Sequence, residues 1–141
     1  MGSRRSTVSG LLFALTAVGG LSCGPAGPVL HPVRGTVHFE GQPAEGATVI
    51  LEPAGGGGGS KPSGTVAADG SFAVATHPHG SGAPAGEYTV LVTWFPPDAR
   101  SLDNPKNKLP AKYADPAKTP VPKVSVPAGG TDIPPIKLTA K

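Results

Sequence analysis

Two histidines separated by one proline, His77 and His79, come closest in this sequence to a metal-binding pair. A closed zinc site needs four ligands, and a catalytic zinc site usually has three protein ligands and one open position. The other two histidines, His31 and His38, belong to a different part of the chain. The spacing therefore favours a solvated loop, and we expect neither a metal nor another cofactor.

The hydroxyl and carboxylate side chains do not form a catalytic pattern. Nucleophilic catalysis requires a nucleophile, a base and a group that orients the base. The serines lie in loops or at predicted strand ends without an elbow motif, Asp69 belongs to a turn, and Asp115 precedes a proline. We therefore expect no enzyme, and a hydrolase is the least favoured alternative.

A glycine-rich run at residues 54–62, AGGGGGSKP, invites comparison with a phosphate-binding loop. That loop has glycine directly before its lysine and serine or threonine directly after it. Here Ser60 precedes Lys61 and Pro62 follows it, so the pattern fails. The run is better interpreted as a flexible connection between strands.

The single cysteine, Cys23, follows a sequence typical of an export signal. Arg4 and Arg5 precede the apolar stretch 8–18. The 11 residues of this stretch suit a signal peptide and are too few to span about 30 Å of hydrocarbon. An exported chain with one cysteine cannot form an internal disulfide, so its thiol requires another role.

Residues 19–24, GGLSCG, resemble the lipobox of bacterial lipoproteins, in which a diacylglyceryl thioether forms on the cysteine. The resemblance implies a signal peptide at 1–22 and a lipid on Cys23 that attaches the protein to a membrane of the cell envelope. Glycine rather than aspartate after the cysteine implies the outer membrane. The alternative is an ordinary secretory signal with an incidental cysteine.

A cationic segment with aromatic neighbours lies at residues 98–123, where six basic residues face three acidic ones. It could present a patch to an envelope protein or to an anionic polymer. The alternative, which the sequence alone favours, is that the lysines only keep the segment solvated. The candidate partner-binding residues are Trp94, Phe95, Arg100, Lys106, Lys108, Lys112 and Tyr113.

The elements that must position these residues are short strands. Glycine and proline, the two poorest helix formers, supply 21 and 18 of the 141 residues. Alternating apolar residues between turn signals predict seven strands and an all-β sandwich. Residues 86–95 are apolar on both faces and should be central. The predicted strands are 33–40, 47–52, 64–68, 71–76, 86–95, 121–126 and 133–138.

Three finer expectations concern how these strands connect. The first two should pair as a hairpin, and Asp69 and Gly70 should form a two-residue type I′ turn. Pro134 and Pro135 lack the N–H that a ladder needs, so the last strand should begin at a sheet edge. The inward-facing residues are predicted to be Val33, Val37, Phe39, Val49, Leu51, Phe72, Val74, Tyr88, Val90, Val92, Trp94, Val124, Val126, Ile136 and Leu138.

The domain organisation predicted from these elements has three parts. Residues 1–22 are the signal peptide, residues 23–32 are the lipidated cysteine and a flexible tether, and residues 33–141 are the sandwich with a long loop at 96–120. Removing Arg4 and Arg5 from the 12 basic residues leaves 10 against 9 acidic ones in the mature chain. Because a nucleic-acid-binding domain requires a strongly basic face, we expect no nucleic acid as a partner.

Several motifs of turn and strand residues follow one another along the chain: VRGTV at 33–37, GQPAEGA at 41–47, VILEP at 49–53, DGSF at 69–72, GAPAGEY at 82–88 and LPAKYADP at 109–116. Their order and spacing resemble the carboxypeptidase-regulatory-like, or transthyretin-like, domain of small bacterial envelope lipoproteins. The resemblance implies a seven-stranded, Ig-like or prealbumin-like sandwich without an established catalytic activity.

Three functions remain open from the sequence. The preferred one is a non-catalytic, lipid-anchored envelope module that serves structure or protein interaction. The second is a small-ligand or glycan-binding protein that uses the loop at 96–120, for which an aromatic pocket near Trp94 and Tyr113 would be evidence. The third is a hydrolase, which would require convergent histidine, aspartate and serine side chains with shifted pKa values.

Overall fold

The computed structural model describes Gly2 and residues 27–56, 60–95 and 106–141. These residues contain thirteen strands and one short 3-10 helix at Ala111–Ala114. Three predicted features lie outside the described residues: the signal peptide except for Gly2, the lipidation site Cys23 and the candidate Arg100. The strands are β1 Leu30–His31, β2 Val33–Phe39, β3 Gln42–Pro43, β4 Thr48–Pro53, β5 Ser63–Thr65, β6 Ser71–Ala73, β7 Ala75–Thr76, β8 Gly80–Ser81, β9 Ala83–Pro84, β10 Gly86–Thr93, β11 Val124–Val126, β12 Thr131–Asp132 and β13 Ile136–Leu138.

Two large sheets form the sandwich, so the all-β prediction is confirmed. One sheet has the order β11-β10-β4-β5-β7-β8. The other is built around β2, which pairs in parallel with β12 and β13 and antiparallel with β3 and β6. Each predicted strand overlaps an observed one, and the additional strands are two-residue segments that alternation cannot reveal.

The core lies between these sheets. Fourteen of the fifteen residues predicted to face inward are buried, and Phe39 is partly buried at the margin of the cluster. The strand β10 is an interior strand of its sheet, as its two apolar faces predict, because it pairs with β4 on one side and with β11 on the other. The buried hydrophobic residues outside the predicted inward set are Ala44, Ala47, Val66, Ala83, Leu91, Leu109, Tyr113 and Ile133, and the buried threonines are Thr76 and Thr89.

The predicted hairpin between the first two long strands is wrong, because β2 and β4 belong to different sheets. The strand β2 instead turns into β3 through Glu40 and Gly41, which both have positive φ and join Phe39 to its partner Gln42. The chain then crosses to the other sheet through Ala44 and Ala47, each fully buried. Small side chains permit this crossing inside a closely packed core.

The predicted type I′ turn at Asp69 is also wrong. Among residues 67–71 only Gly70 has positive φ. The N–H of Gly70 donates to the carbonyl of Ala67, and the N–H of Ala67 donates to the carbonyl of Ser71. This is a type I turn followed by a left-handed glycine. The Asp69 carboxylate accepts hydrogen bonds from the N–H and hydroxyl of Ser71, which lower its pKa.

The last strand begins at a sheet edge, as its prolines predict, since among the described strands β13 pairs with β2 alone.

The predicted strand 71–76 changes sheets at Val74. Its first half, β6, pairs with β2, and its second half, β7, pairs with β5. One apparently continuous strand therefore helps to close one side of the sandwich.

The N-terminal segment is held to one end of the sandwich. Leu30–His31 pairs with β9, and the imidazole Nδ1 of His31 accepts the N–H of Gly129 at 3.0 Å. The carbonyl of Pro32 accepts the N–H of Thr131 at 2.9 Å. The structured part of the chain thus includes residues that the sequence assigned to the tether. We call this end of the sandwich, with the turn at 127–130, the base.

We expect Gly130→Ala to lower the free energy of unfolding by about 2–3 kcal/mol. Gly130 has a φ of 93°, and an added Cβ would collide with the backbone carbonyl of Pro32. Gly129→Ala is the matched control, because its φ is 95° but nothing lies within 4 Å of the added Cβ. It should cost about 1 kcal/mol from backbone strain alone. Equal losses in urea denaturation would contradict the packing of Pro32 on Gly130.

Candidate functional site

Aromatic and cationic side chains meet at the end of the sandwich opposite the base. Phe39 ends β2, and Trp94 and Phe95 follow β10 directly. The rings of Phe39 and Trp94 make an edge-to-face contact with centroids 5.7 Å apart. Lys108 reaches both rings from residues 106–114, which we call the returning segment. We call Phe39, Trp94, Phe95, Lys106 and Lys108 the aromatic end.

Backbone hydrogen bonds fix the returning segment beside Trp94. The amide oxygen of Asn107 accepts the N–H of Trp94 at 2.9 Å and the N–H of Leu109 at 3.1 Å. The N–H of Lys108 donates to the carbonyl of Trp94 at 2.7 Å. Leu109 is buried in the core and attaches this segment to the sandwich. The position of Lys108 is therefore set by its neighbours on both sides.

Lys108 stacks over two aromatic rings. Its ammonium lies 4.1 Å from the centroid of the Trp94 ring and 5.6 Å from that of Phe39. Such contacts contribute about 0.5–1 kcal/mol at exposed sites. Beside this stack, Phe95 is 49% exposed, whereas Trp94 is 9% exposed. The surface available to a partner therefore includes Phe95 and Lys108, and Trp94 lies beneath the Lys108 ammonium.

Tyr113 and Lys112 form a second cluster on the 3-10 helix. Tyr113 is buried, and its hydroxyl accepts the N–H of Thr139 at 3.0 Å, which ties the helix to the segment after β13. Burial raises the pKa of Tyr113, but the hydrogen bonds from Thr139 and the positive charge of Lys112 lower it, so that the net shift is downward. Tyr113 holds the returning segment in place and does not present its ring to solvent.

The predicted site residues therefore divide into two groups. Lys108 contacts Trp94 at the aromatic end. Phe95 follows Trp94 directly, and Lys106 is exposed close by in sequence. Lys112 lies over the ring of Tyr113, with its ammonium 5.2 Å from the centroid, and also donates to the carbonyl of Lys141. The aromatic end also contains a residue that sequence reasoning placed only in the core, Phe39.

The charge at the aromatic end is mixed. Glu40 follows Phe39 directly, and Glu45 precedes Gly46, whose added Cβ would lie 3.9 Å from the indole nitrogen of Trp94. The carboxylate of Glu40 accepts the N–H of Ala140 at 3.4 Å. Lysine and glutamate residues thus both occur at this end of the sandwich, where Phe95 is exposed. This composition resembles the rim and anchor of a protein interface more than a uniformly cationic surface.

The base and the aromatic end are separated by the length of β2. The strand β2 runs seven residues from Val33, beside the N-terminal segment, to Phe39. At about 3.3 Å per residue, its ends lie about 20 Å apart. The chain therefore enters the sandwich at one end and presents Phe95 at the other.

Other candidate chemistry does not converge. His77 and His79 are exposed, and Lys61 forms an ion pair with Glu52 at 2.6 Å. Within residues 27–56, 60–95 and 106–141, no group of three histidine, cysteine, aspartate or glutamate side chains is placed to hold a metal ion. Two cavities in the described part of the chain have linings that include neither Trp94 nor Tyr113.

Comparison with known proteins adds no relative, because no family model, curated protein or solved structure matches the chain. None of the helices in the described part of the chain is long and apolar enough to cross a membrane. The class that the fold defines is thus an all-β sandwich, and its function must be argued from its surfaces.

Proposed function

We propose that this protein is a non-catalytic module of the cell envelope, held to a membrane by a lipid on Cys23, that binds a partner protein through its aromatic end. The proposal joins a sequence pattern at the N-terminus with the geometry of the sandwich. The resemblance to transthyretin-like envelope lipoproteins is part of the same proposal.

The sequence pattern supplies the anchor. The N-terminal sequence has the order of a lipoprotein signal. A basic pair comes first, an apolar stretch of 11 residues follows, and small residues precede Cys23. Two or more acyl chains give stable attachment, because each buried methylene contributes about 0.8 kcal/mol. Cys23 and Leu30 are seven residues apart, so the lipid would lie within about 25 Å of the base.

The observation that carries the proposal is the opposite placement of the N-terminal segment and the aromatic end along β2. A chain anchored through Cys23 would keep its base towards the membrane and hold Phe95 away from it. Because both lysine and glutamate occur at this end and Phe95 is exposed there, a protein with a complementary apolar pocket suits this surface better than a uniformly anionic polymer. We therefore favour a protein partner.

A small ligand or glycan bound by the loop at 96–120 is the second candidate. The exposed ring of Phe95, which borders that loop, is the observation in its favour. However, Trp94 and Tyr113 are both buried, and Lys108 and Lys112 lie against their rings. This packing gives less support to an aromatic binding pocket than to a surface that a partner protein covers.

Photo-crosslinking in living cells tests the protein-interaction proposal. We expect a photoreactive amino acid at the exposed position Lys106 to give a discrete protein adduct. Phe95→Ser should lower the yield of this adduct about tenfold, since removing an aromatic anchor commonly costs more than 1 kcal/mol of binding energy. The fold of each variant would be checked by circular dichroism.

The matched control places the same photoreactive group at Ala128, an exposed residue in the turn at the base. The adduct formed from Lys106 should be absent there. An adduct that resists protease would support the glycan alternative. Equal adducts at the two positions, or an adduct insensitive to Phe95→Ser, would refute binding through the aromatic end.

A further inference from the structure

An apolar groove lies where the two sheets meet at their edges, away from the aromatic end's rings. The strand β11 is the last in its sheet, and β13 pairs only with β2, so these edge strands face each other across the groove. Val121, Val124, Ile133 and Ile136 line it, and its volume is about 190 Å³. This is smaller than the roughly 300–1,000 Å³ of pockets that enclose drug-sized ligands. The size suits a short length of hydrocarbon.

The walls of the groove offer few groups for pairing with a peptide backbone. A proline has no backbone N–H to donate. The lining of the groove includes four prolines, Pro120, Pro122, Pro134 and Pro135. Addition of a strand at a sheet edge depends on a row of main-chain donors and acceptors. The prolines therefore disfavour the addition of a strand at either sheet edge. They favour an occupant that has no peptide backbone.

The charge of the groove has one sign. Lys123 and Lys137 are the charged residues among those that line it, and both are exposed. Lys123 directly precedes β11 and Lys137 lies within β13, so each side of the groove contributes one lysine. An apolar channel with a cationic rim is complementary to a molecule that is apolar along its length and anionic at its head.

We propose that this groove binds a single-chain anionic amphiphile of the fatty-acid type. The aliphatic chain lies against Val121, Val124, Ile133 and Ile136, and the carboxylate interacts with Lys123 and Lys137. This site is distinct from the aromatic end and does not depend on the proposed protein partner.

Nuclear magnetic resonance of the full chain with Cys23→Ser, which carries no lipid, tests the proposal directly. Dodecanoate, added below its micelle concentration, should cause saturable shifts of the amide signals of Val121, Lys123, Val124, Ile133 and Ile136. Dodecanol has the same chain without the charge and should bind more weakly. Dodecyltrimethylammonium should bind most weakly, because its head group is repelled by the lysines.

Two variants separate the contributions of charge and of the apolar wall. Lys123→Glu with Lys137→Glu should weaken dodecanoate binding about tenfold or more. Lys106→Glu with Lys118→Glu makes the same change in net charge at exposed lysines outside the groove, and should change affinity less than twofold. Val121→Glu, at a partly buried position, should abolish binding while the remaining amide spectrum keeps its dispersion.

Several results would overturn the proposal. Equal affinity for the three amphiphiles, equal loss in the two double variants, or shifts outside the groove would each do so. A dimer in analytical ultracentrifugation without amphiphile, broken by Val121→Glu, would assign the groove to a second copy of the chain. Tighter saturable binding of an acidic, apolar peptide at the same amides would assign it to a protein partner.

Discussion

Replacing Trp94 with alanine is expected to lower the free energy of unfolding by about 3–5 kcal/mol, as large-to-small changes of buried aromatic residues commonly do. The indole belongs to the core cluster and makes an edge-to-face contact with Phe39. It also supports the ammonium of Lys108 at 4.1 Å. The loss therefore combines the burial of a large ring, its contact with Phe39 and its contact with a cation.

An effect of this size should unfold much of the protein, because natural domains are stable by only about 5–15 kcal/mol. Urea denaturation followed by circular dichroism measures it. Phe95→Ala is the control, since Phe95 is the adjacent aromatic residue and is half exposed; it should cost less than about 1 kcal/mol. If both substitutions had the same small effect, Trp94 would not belong to the core of the folded protein.

Removing the lipidation site should transfer the protein from the membrane to the soluble exported fraction. The change combines Cys23→Ser with replacement of residues 1–22 by a signal peptide that ordinary signal peptidase cleaves. Because attachment scales with the buried methylene groups of the acyl chains, their loss should convert nearly complete membrane retention into nearly complete release. Fractionation of the cell envelope followed by immunoblotting measures the outcome.

The replacement signal with Cys23 retained is the first control, because it separates the effect of the signal from that of the cysteine. The second control is Phe95→Ser in the natural chain, which should remain with the membrane. Retention of the Cys23→Ser protein in the membrane would contradict anchoring by a lipid and would assign the attachment to another surface.

The sequence predicts the strands well because alternation reports directly which side chains face the core. In β10, Tyr88, Val90 and Val92 alternate with Thr89 and Leu91, and all five are buried. This double burial is why a central position could be predicted without a structure. Alternation has no information about which strands pair, and for that reason the parallel pairing of β2 with β12 and β13 could not be predicted.

The errors arise where small or turn residues decide the path of the chain. Ala44 and Ala47 lie outside any alternating run, yet they carry the crossing that prevents the expected hairpin. Both Glu40–Gly41 and Asp69–Gly70 have glycine in second place, and local sequence does not tell which of them forms the two-residue turn with positive φ. The partner strand decides, and that is a tertiary property.

The candidate site could be predicted in part. Residue type identified Trp94, Phe95 and Lys108, because aromatic and basic residues close in sequence suggest an interaction surface. The contact between Lys108 and Trp94 depends on Asn107, whose side-chain oxygen accepts two backbone N–H groups and sets the register of the returning segment. Phe39 joins them from a distant part of the chain, and nothing local in its sequence indicates this.

The most direct test of the proposed anchoring is the intact mass of the protein extracted from cell membranes. The account predicts a chain that begins at Cys23 and carries the added mass of a diacylglyceryl thioether on that residue, with or without a further acyl chain. A mature protein that begins elsewhere, or that begins at Cys23 without added mass, would contradict it.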